Sequence, residues 1–228
     1  MRTTRSVRFD DFVPLRDRVR DEIRQRIIDG DYPPGARIVE RDLADELGVS
    51  RVPVREAFRM LESEGFVAVV PRRGVIVRQL SEADVAELFD VREALEVLAC
   101  RRAAERAGQA ALTRLERILG QVRKAVQASD ARAAGAANEA FHDQIIALAR
   151  NKLLAAMLEP LQGRLHWLFR QHDNPAELYG QHLQLFEAIA SGDPDRAGLQ
   201  ALEHVRVNRE RAFGLLFGEQ AGEQPSVG

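Results

Sequence analysis

The feature that most constrains this chain is a helical spacing of apolar residues that continues, with short breaks, from position 81 to position 218. Its first segment begins with a capping-box-like pair, Ser81 and Asp84, and continues with the apolar positions of one helix face, at Val85, Leu88, Leu95 and Leu98. Further helices are predicted at about 110–128, 131–149, 152–172, 175–190 and 194–217. The sharpest break is Gly192-Asp193-Pro194, where Asp193 can cap a helix and Pro194 can begin it. An antiparallel helical bundle is expected.

Residues 1–80 instead alternate short helical patterns with turns rich in proline and glycine. A first helix is predicted from apolar residues at every fourth position, which are Leu15, Val19, Ile23 and Ile27. Two more helices follow at about 40–47 and 51–64, where Gly48 ends one and Ser50 caps the other. Two β-branched runs, at about 66–70 and 75–78, then predict a hairpin. This order of elements is the plan of a winged helix-turn-helix.

The sequence therefore predicts a mainly α-helical protein. The winged helix-turn-helix occupies residues 1–80, the all-α antiparallel helical bundle residues 81–218, and a disordered tail residues 219–228. The net charge of −2 excludes a uniformly basic surface but not a local basic patch. The single cysteine excludes an intrachain disulfide, and no apolar run reaches the roughly 18–20 residues that span a bilayer. Because the N-terminus also lacks the apolar core of a secretory signal, we expect a cytoplasmic protein without a membrane partner.

Three arginines of the third predicted helix carry the strongest indication of function. Arg51, Arg55 and Arg59 are four residues apart and follow one stripe, opposite an apolar face that contains Phe58. A helix N-terminus favours phosphate, and the arginine fork fits a phosphate or a guanine edge. Neighbouring positions that could also reach DNA are Arg41, Ser50 and, at the hairpin tip, Arg72, Arg73 and Gly74. The alternative is a solvated charged face, in which the arginines pair with Glu56, Glu62 and Glu64.

Three of the five histidines are spaced so that they can meet. Asn138 and His142 are four residues apart and share one helix face. His182 precedes the break at 191–193 by about ten residues and His204 follows it by as many, so both lie roughly 15 Å from the turn on adjacent helices. Three neutral imidazoles and one amide oxygen could then bind Zn, Ni, Cu or Fe. The alternative is that each histidine is an ordinary residue satisfied by its own hydrogen bond.

Residues 34–77, PGARIVERDLADELGVSRVPVREAFRMLESEGFVAVVPRRGVIV, resemble the DNA-binding domain of GntR-family transcription regulators. The segment GVSRVPVREAFRMLESEG is the most specific part of the resemblance. The resemblance implies that Gly74 is the glycine of the wing and that the operator contacts come from Arg41, Ser50, Arg51 and Arg55. Val52 stands where relatives often carry threonine, so a hydroxyl contact is lost at that position.

The second domain resembles the all-helical effector-binding domain, FCD, of the FadR-type subgroup of that family. The resemblance lies in the segments DVREALEVLACRRAA, NEAFHDQIIALARN and GQHLQLFEAIASGDPDRAGLQALEHV. Many members bind a divalent metal through Asp-x3-His and two later histidines, which correspond here to Asn138, His142, His182 and His204. Asparagine in place of aspartate removes a negative charge but keeps an oxygen donor, and Zn or Ni is the expected metal.

The resemblance also implies that Arg92 holds a small organic acid near the metal. The alternative for Arg92 is a pair with Glu96, four residues further along the same helix. Together these features predict a homodimeric transcriptional regulator that binds palindromic double-stranded DNA and responds to a small carboxylate effector. We expect a repressor that releases DNA when the effector binds, although the sequence leaves the direction open.

The sequence is compatible with two other functions. One is a regulator in which the metal site is purely structural or the cavity is empty. The other is a metal-dependent hydrolase, which is disfavoured because Glu139 and Asp143, which flank His142, point away from its helix face. The sequence therefore favours a protein that is not an enzyme.

Overall fold

The computed structural model describes residues 13–70, 73–169 and 175–218. The chain divides into two units, Met1–Gln79 and Leu80–Gly228, and each unit buries its own set of apolar residues. Arg72 at the expected hairpin tip and the expected tail at 219–228 lie outside the described residues.

The described part of the first unit contains the helices α1 (Leu15–Asp29), α2 (Glu40–Leu47) and α3 (Arg51–Ser63). The predicted apolar stripe of α1 is confirmed for the buried residues Val19, Ile23 and Ile27, whereas Leu15, the first residue of the helix, is 44% exposed. Gly48 ends α2 with φ of 65°, a left-handed conformation that glycine adopts without steric cost. The tight ending of α2 allows α3 to begin three residues later.

The predicted hairpin is confirmed as part of a three-stranded antiparallel sheet. Its strands are β1 (Arg37–Ile38), β2 (Val67–Val70) and β3 (Gly74–Val77), in the order β1-β3-β2. The register of the hairpin sets Val67 opposite Val77 and Val70 opposite Gly74. The sequence does not predict β1, because two residues are too few to show the alternation of a strand.

The second unit begins with α4 (Glu82–Arg106), and the predicted capping box at its start is confirmed. The Ser81 hydroxyl accepts a hydrogen bond from the Asp84 N–H at 3.2 Å, and the Asp84 carboxylate accepts one from the Ser81 N–H at 2.9 Å. Val85 is buried, but the predicted inward position of Leu98 is wrong, since Leu98 is 36% exposed. Leu98 is thirteen residues after Val85, so the two side chains point about 140° apart around the helix. The buried face passes instead through Arg92, Glu96 and Ala99.

The described residues continue with α5 (Gln109–Gln127), α6 (Ala131–Ala149), α7 (Lys152–Phe169), α8 (Pro175–Ala190) and α9 (Pro194–Phe217). These bounds agree closely with the predicted segments. The largest side chains of the apolar core include Leu115, Phe141, Leu158, Leu185 and Ile189. Because α4 packs along α9 and also contacts α6 and α8, these four helices enclose one region of the core.

The cap of α9 provides a stability prediction. Asp193 accepts hydrogen bonds from the N–H groups of Asp195 at 2.9 Å and Arg196 at 3.1 Å. Asp193→Ala should therefore lower the free energy of unfolding by about 1 kcal/mol, whereas Asp193→Asn, which keeps a capping oxygen, should stay within a few tenths. Urea unfolding followed by the helical circular dichroism signal measures both variants, and equal losses would contradict a capping role.

Candidate DNA interface and candidate metal centre

The arginine stripe of α3 faces solvent. Arg51, Arg55 and Arg59 are exposed, while Phe58 and Leu61 on the opposite face are buried against the rest of the first unit. The apolar face therefore anchors the helix, and the cationic face is free to approach another molecule. That these arginines contact DNA remains a prediction.

Ser50 precedes the first residue of α3 in extended conformation, as an N-cap residue does. Within the described residues, however, its side chain makes no capping hydrogen bond to α3. A capping oxygen accepts from the second or third N–H of a helix, and the third residue here is Pro53, which has none. Ser50 therefore occupies the expected N-cap position of α3 but does not make the capping hydrogen bond.

Glu40, the first residue of α2, holds two of the arginines and was not singled out by the sequence. Its carboxylate accepts from Nε of Arg51 at 2.7 Å and from Nη2 of Arg55 at 2.9 Å. The hydrogen bond from Arg55, followed by the one from Arg51, lowers the pKa of Glu40, and partial burial opposes the shift. This bridge links residues 11 and 15 positions apart, which no spacing rule within one helix can reveal.

Two of the three acidic candidates for ion pairs with the arginines contact residues outside α3. Glu62 accepts a hydrogen bond from the Val69 N–H at 3.0 Å, and Glu64 lies 3.5 Å from the guanidinium of Arg24 in α1. Arg41, on α2, is 75% exposed and lies 3.3 Å from its neighbour Asp42. Its guanidinium is accessible at the start of α2.

The hairpin tip has the backbone that the resemblance implies. Gly74 has φ of 87°, and an added Cβ would lie 3.6 Å from Nε of Arg37. A side chain at position 74 would therefore be strained by the backbone rather than by lack of space. Arg73 is exposed, and its N–H donates to the Val70 carbonyl at 3.0 Å. Arg37 on β1 adds an exposed cation beside the tip that the sequence did not indicate.

In the second unit, three histidines from three helices meet, and two of them, His182 and His204, are the pair whose spacing places them level. His142 of α6, His182 of α8 and His204 of α9 have ring centroids 5.1 to 5.5 Å apart. One nitrogen from each ring lies within 4.8 Å of the other two. Zinc binds imidazole nitrogen at about 2.0–2.1 Å, which sets tetrahedral ligands about 3.4 Å apart. Small side-chain rotations would bring the three nitrogens to that separation.

Several buried polar atoms at this cluster have no hydrogen-bond partner among the described residues. They are Oδ1 of Asn138, both ring nitrogens of His182 and Nη1 of Arg92. Buried polar atoms are normally satisfied, so unpaired ones require an explanation. A metal ion could bind the Asn138 oxygen and one ring nitrogen of His182, and an anion would satisfy Nη1 of Arg92.

The two deepest imidazoles are held in the neutral state. Burial is the largest cause that lowers the pKa of His182 and of His204 well below the ordinary value, and the nearby charges of His142 and Arg92 lower both further. Neutral imidazole is the form that binds metal ions. The cluster is therefore chemically ready for a cation at neutral pH.

Residues around the cluster restrict the orientation of the rings. Phe141 stacks on His182 with ring centroids 4.5 Å apart and planes inclined by 21°. Asn208, one turn beyond His204, donates from Nδ2 to the His204 carbonyl at 2.7 Å and lies 3.2 Å from Nε2 of the ring. Asn208 could not be identified from the sequence, because an asparagine inside a helix is usually solvated.

The alternative of a pair between Arg92 and Glu96 is confirmed. Arg92 and Glu96 are buried, and Nε of Arg92 donates to the Glu96 carboxylate at 2.5 Å. Nη1 of the same guanidinium is left without a partner among the described residues. The ion pair thus fixes one edge of the guanidinium and leaves a donor on the other. That this donor holds an effector remains a prediction.

Both units match known protein families. The family model described as bacterial regulatory proteins, gntR family, matches residues 15–77, and the FCD domain model matches residues 87–207. The chain belongs to the GntR family of bacterial regulatory proteins and carries an FCD domain.

Individual relatives agree with this membership. An uncharacterised HTH-type transcriptional regulator, YdhC of Bacillus subtilis, is 30% identical over 86% of this chain and 90% of its own length. The HTH-type transcriptional repressor RspR of Escherichia coli is 28% identical over 85% of this chain and 86% of its own. A crystal structure of a GntR transcriptional regulator from Rhodococcus sp. RHA1 superposes with a TM-score of 0.73 at 26% identity, covering 87% of this chain and 97% of that one.

Hydropathy gives a separate result. Among the helices of the described residues, none combines the length and apolar character needed to cross a bilayer.

The Glu40 bridge predicts a pH dependence. Because Arg55 and Arg51 lower the pKa of Glu40 in the folded protein, its contribution to stability is complete above the unfolded value of about 4.3 and is lost as the pH falls through the lowered value. Carboxyl-carbon NMR titration should show a rise in the pKa of Glu40 in Arg55→Ala. Arg114→Ala, which removes an exposed arginine of α5, is the control, and an unchanged Glu40 in Arg55→Ala would refute the bridge.

Proposed function

We propose that this GntR-family protein is a cytoplasmic, homodimeric repressor that binds palindromic DNA and releases it when a small organic acid enters a metal-containing cavity of the FCD domain. The single observation that carries the sensor part is the group of three converging histidines, beside which buried atoms of Asn138, His182 and Arg92 have no partner among the described residues. Repression is inferred from the relative that is named a transcriptional repressor.

The DNA-binding part rests on the exposed cationic surface of the first unit. Arg51 and Arg55 would read base edges in the major groove, with Arg59 along the same stripe and Ser50 at the helix N-terminus. Arg41 would contact the backbone or a base edge, and the tip of the hairpin would approach the minor groove through Arg72, Arg73 and Gly74. Two copies related by a two-fold axis would match the two halves of a palindrome.

The sensor part rests on the chain's own ligands. His142, His182 and His204 would hold a divalent metal, Zn or Ni, with Asn138 as a neutral oxygen ligand. The bound metal would act as a Lewis acid that attracts a carboxylate. Arg92 would donate from Nη1 to the same acid, while Glu96 keeps the guanidinium in place.

Effector binding can change operator affinity only if the acid binds one arrangement of the dimer more tightly than the other. The proposed ligands belong to α4, α6, α8 and α9, so an acid held by Arg92 and the metal would alter the packing between these helices. We propose that the arrangement with bound acid is the one with lower affinity for DNA.

The recognition helix can be tested by substitution. Arg51→Ala and Arg55→Ala should each weaken operator binding by roughly 1–3 kcal/mol if each contacts a base. Fluorescence anisotropy at fixed salt, with a duplex selected by the wild-type protein from random sequences, measures the loss. Arg114→Ala, in the second unit, should bind as wild type. Wild-type affinity in both α3 variants would remove the assignment of α3 to DNA.

The metal ligands can be tested without an effector. His182→Ala should lower the affinity for the metal at least about tenfold relative to wild type, because a direct ligand is lost. After dialysis the variant should therefore contain less metal. Gln184→Ala changes an exposed residue of the same helix and should leave metal content unchanged. Elemental analysis and competition with a chelator measure both, and equal metal content in the two variants would place the site elsewhere.

The sensor role is tested by calorimetry with small carboxylic acids, with and without metal. A binding acid should also weaken operator affinity, and a chelator should abolish that response. If metal remains bound but no acid binds, the metal is structural. If no acid binds and the chelator leaves operator binding unchanged, the sensor role is wrong.

A further inference from the structure

The charge of the buried site indicates what kind of acid would fit it. Among the described residues, the buried charged side chains are Arg92, which is 4% exposed, and Glu96, which is 9% exposed. They form one ion pair, with Nε of Arg92 donating to the Glu96 carboxylate at 2.5 Å. Their charges therefore cancel each other, and neither is available to balance a further buried ion.

The side chains that would hold the metal are all neutral. His142, His182 and His204 would bind as imidazoles, and Asn138 offers an amide oxygen that has no partner among the described residues. The carboxylates beside His142, on Glu139 and Asp143, are exposed to solvent. A divalent ion at this site would consequently keep both of its positive charges.

A buried charge is costly unless an opposite charge accompanies it. The described residues offer no buried carboxylate other than Glu96, so the counter-charge must enter with the ligand. Nη1 of Arg92 provides a second contact point, because it is a buried donor without a partner among the described residues. Arg92 belongs to α4, which packs against α6, α8 and α9, the helices that carry the three histidines.

We propose that the effector is a dicarboxylate, in which one carboxylate binds the metal held by the histidines and the other accepts a hydrogen bond from Nη1 of Arg92. This inference rests on the proposed function and specifies its ligand class. Two carboxylates match the two uncompensated charges of the ion, whereas a monocarboxylate leaves one of them unbalanced in the core.

Calorimetry on the full-length, metal-loaded protein tests this with acids of equal length and different charge. Succinate should bind at least tenfold more tightly than butyrate, and glutarate at least tenfold more tightly than pentanoate. Inorganic phosphate supplies two charges on one centre and should bind more weakly than succinate. Equal affinities within each pair, or tighter binding of phosphate than of either dicarboxylate, would overturn the proposal.

Two variants change the charge of the site in opposite directions. Asn138→Asp adds a negative charge at the metal and should reduce the preference for succinate over butyrate at least threefold. Glu96→Gln removes the counter-charge of Arg92 and should increase that preference. Thermal unfolding establishes whether each variant is folded. If Glu96→Gln is not folded, the result for Asn138→Asp alone tests the proposal, because position 138 is less buried than position 96. Unchanged preference in the folded variants would refute the charge argument.

The same measurements separate this inference from the proposed function. If the protein binds metal and a monocarboxylate as tightly as its dicarboxylate counterpart, the sensor role stands and the dicarboxylate class is wrong. If elemental analysis finds metal but neither acid of any pair binds, both the sensor role and the dicarboxylate class are wrong.

Discussion

The second unit is shaped by the need to accommodate polar groups in an otherwise apolar core. Arg92, Glu96, His182, His204 and Asn208 are buried there, and each buried polar atom costs free energy unless it has a partner. Arg92 and Glu96 form an ion pair that satisfies most of their polar atoms, and Asn208 donates a hydrogen bond to the His204 carbonyl. The atoms left over lie on Asn138, His182 and Arg92. Their occurrence on residues around one histidine cluster is what supports a ligand there.

The first unit obeys a related electrostatic constraint at its surface. Arg51 and Arg55 are like charges one helical turn apart, and Glu40 offsets them by binding both. A surface bridge of this kind contributes little to stability, so its main effect is to orient the two guanidinium groups. The buried face of α3 holds the helix, while the arrangement of its cationic face depends on a carboxylate from α2.

Much of the fold could be predicted from the sequence because it is encoded by local rules. Glycine at left-handed helix ends, the Ser81 capping box and the spacing of apolar residues gave helix bounds close to those observed. The failures have physical reasons. β1 is too short to show an alternating pattern. Leu98 does not share the buried face of Val85, because over thirteen residues the apolar spacing departs from the helical repeat. The role of Glu40 could not be predicted, because its partners are distant in sequence.

The sequence by itself determined the helical composition, the winged plan of the first unit and the equal distances of His182 and His204 from the turn between α8 and α9, since each depends only on residue spacing and fixed helix geometry. Tertiary structure alone decided that His142 joins these two histidines and that Glu40 holds Arg51 and Arg55. It also decided that Arg92 pairs with Glu96 yet keeps one donor without a partner among the described residues. Those outcomes depend on how separate helices pack, and packing is set by contacts between distant residues that no local pattern records.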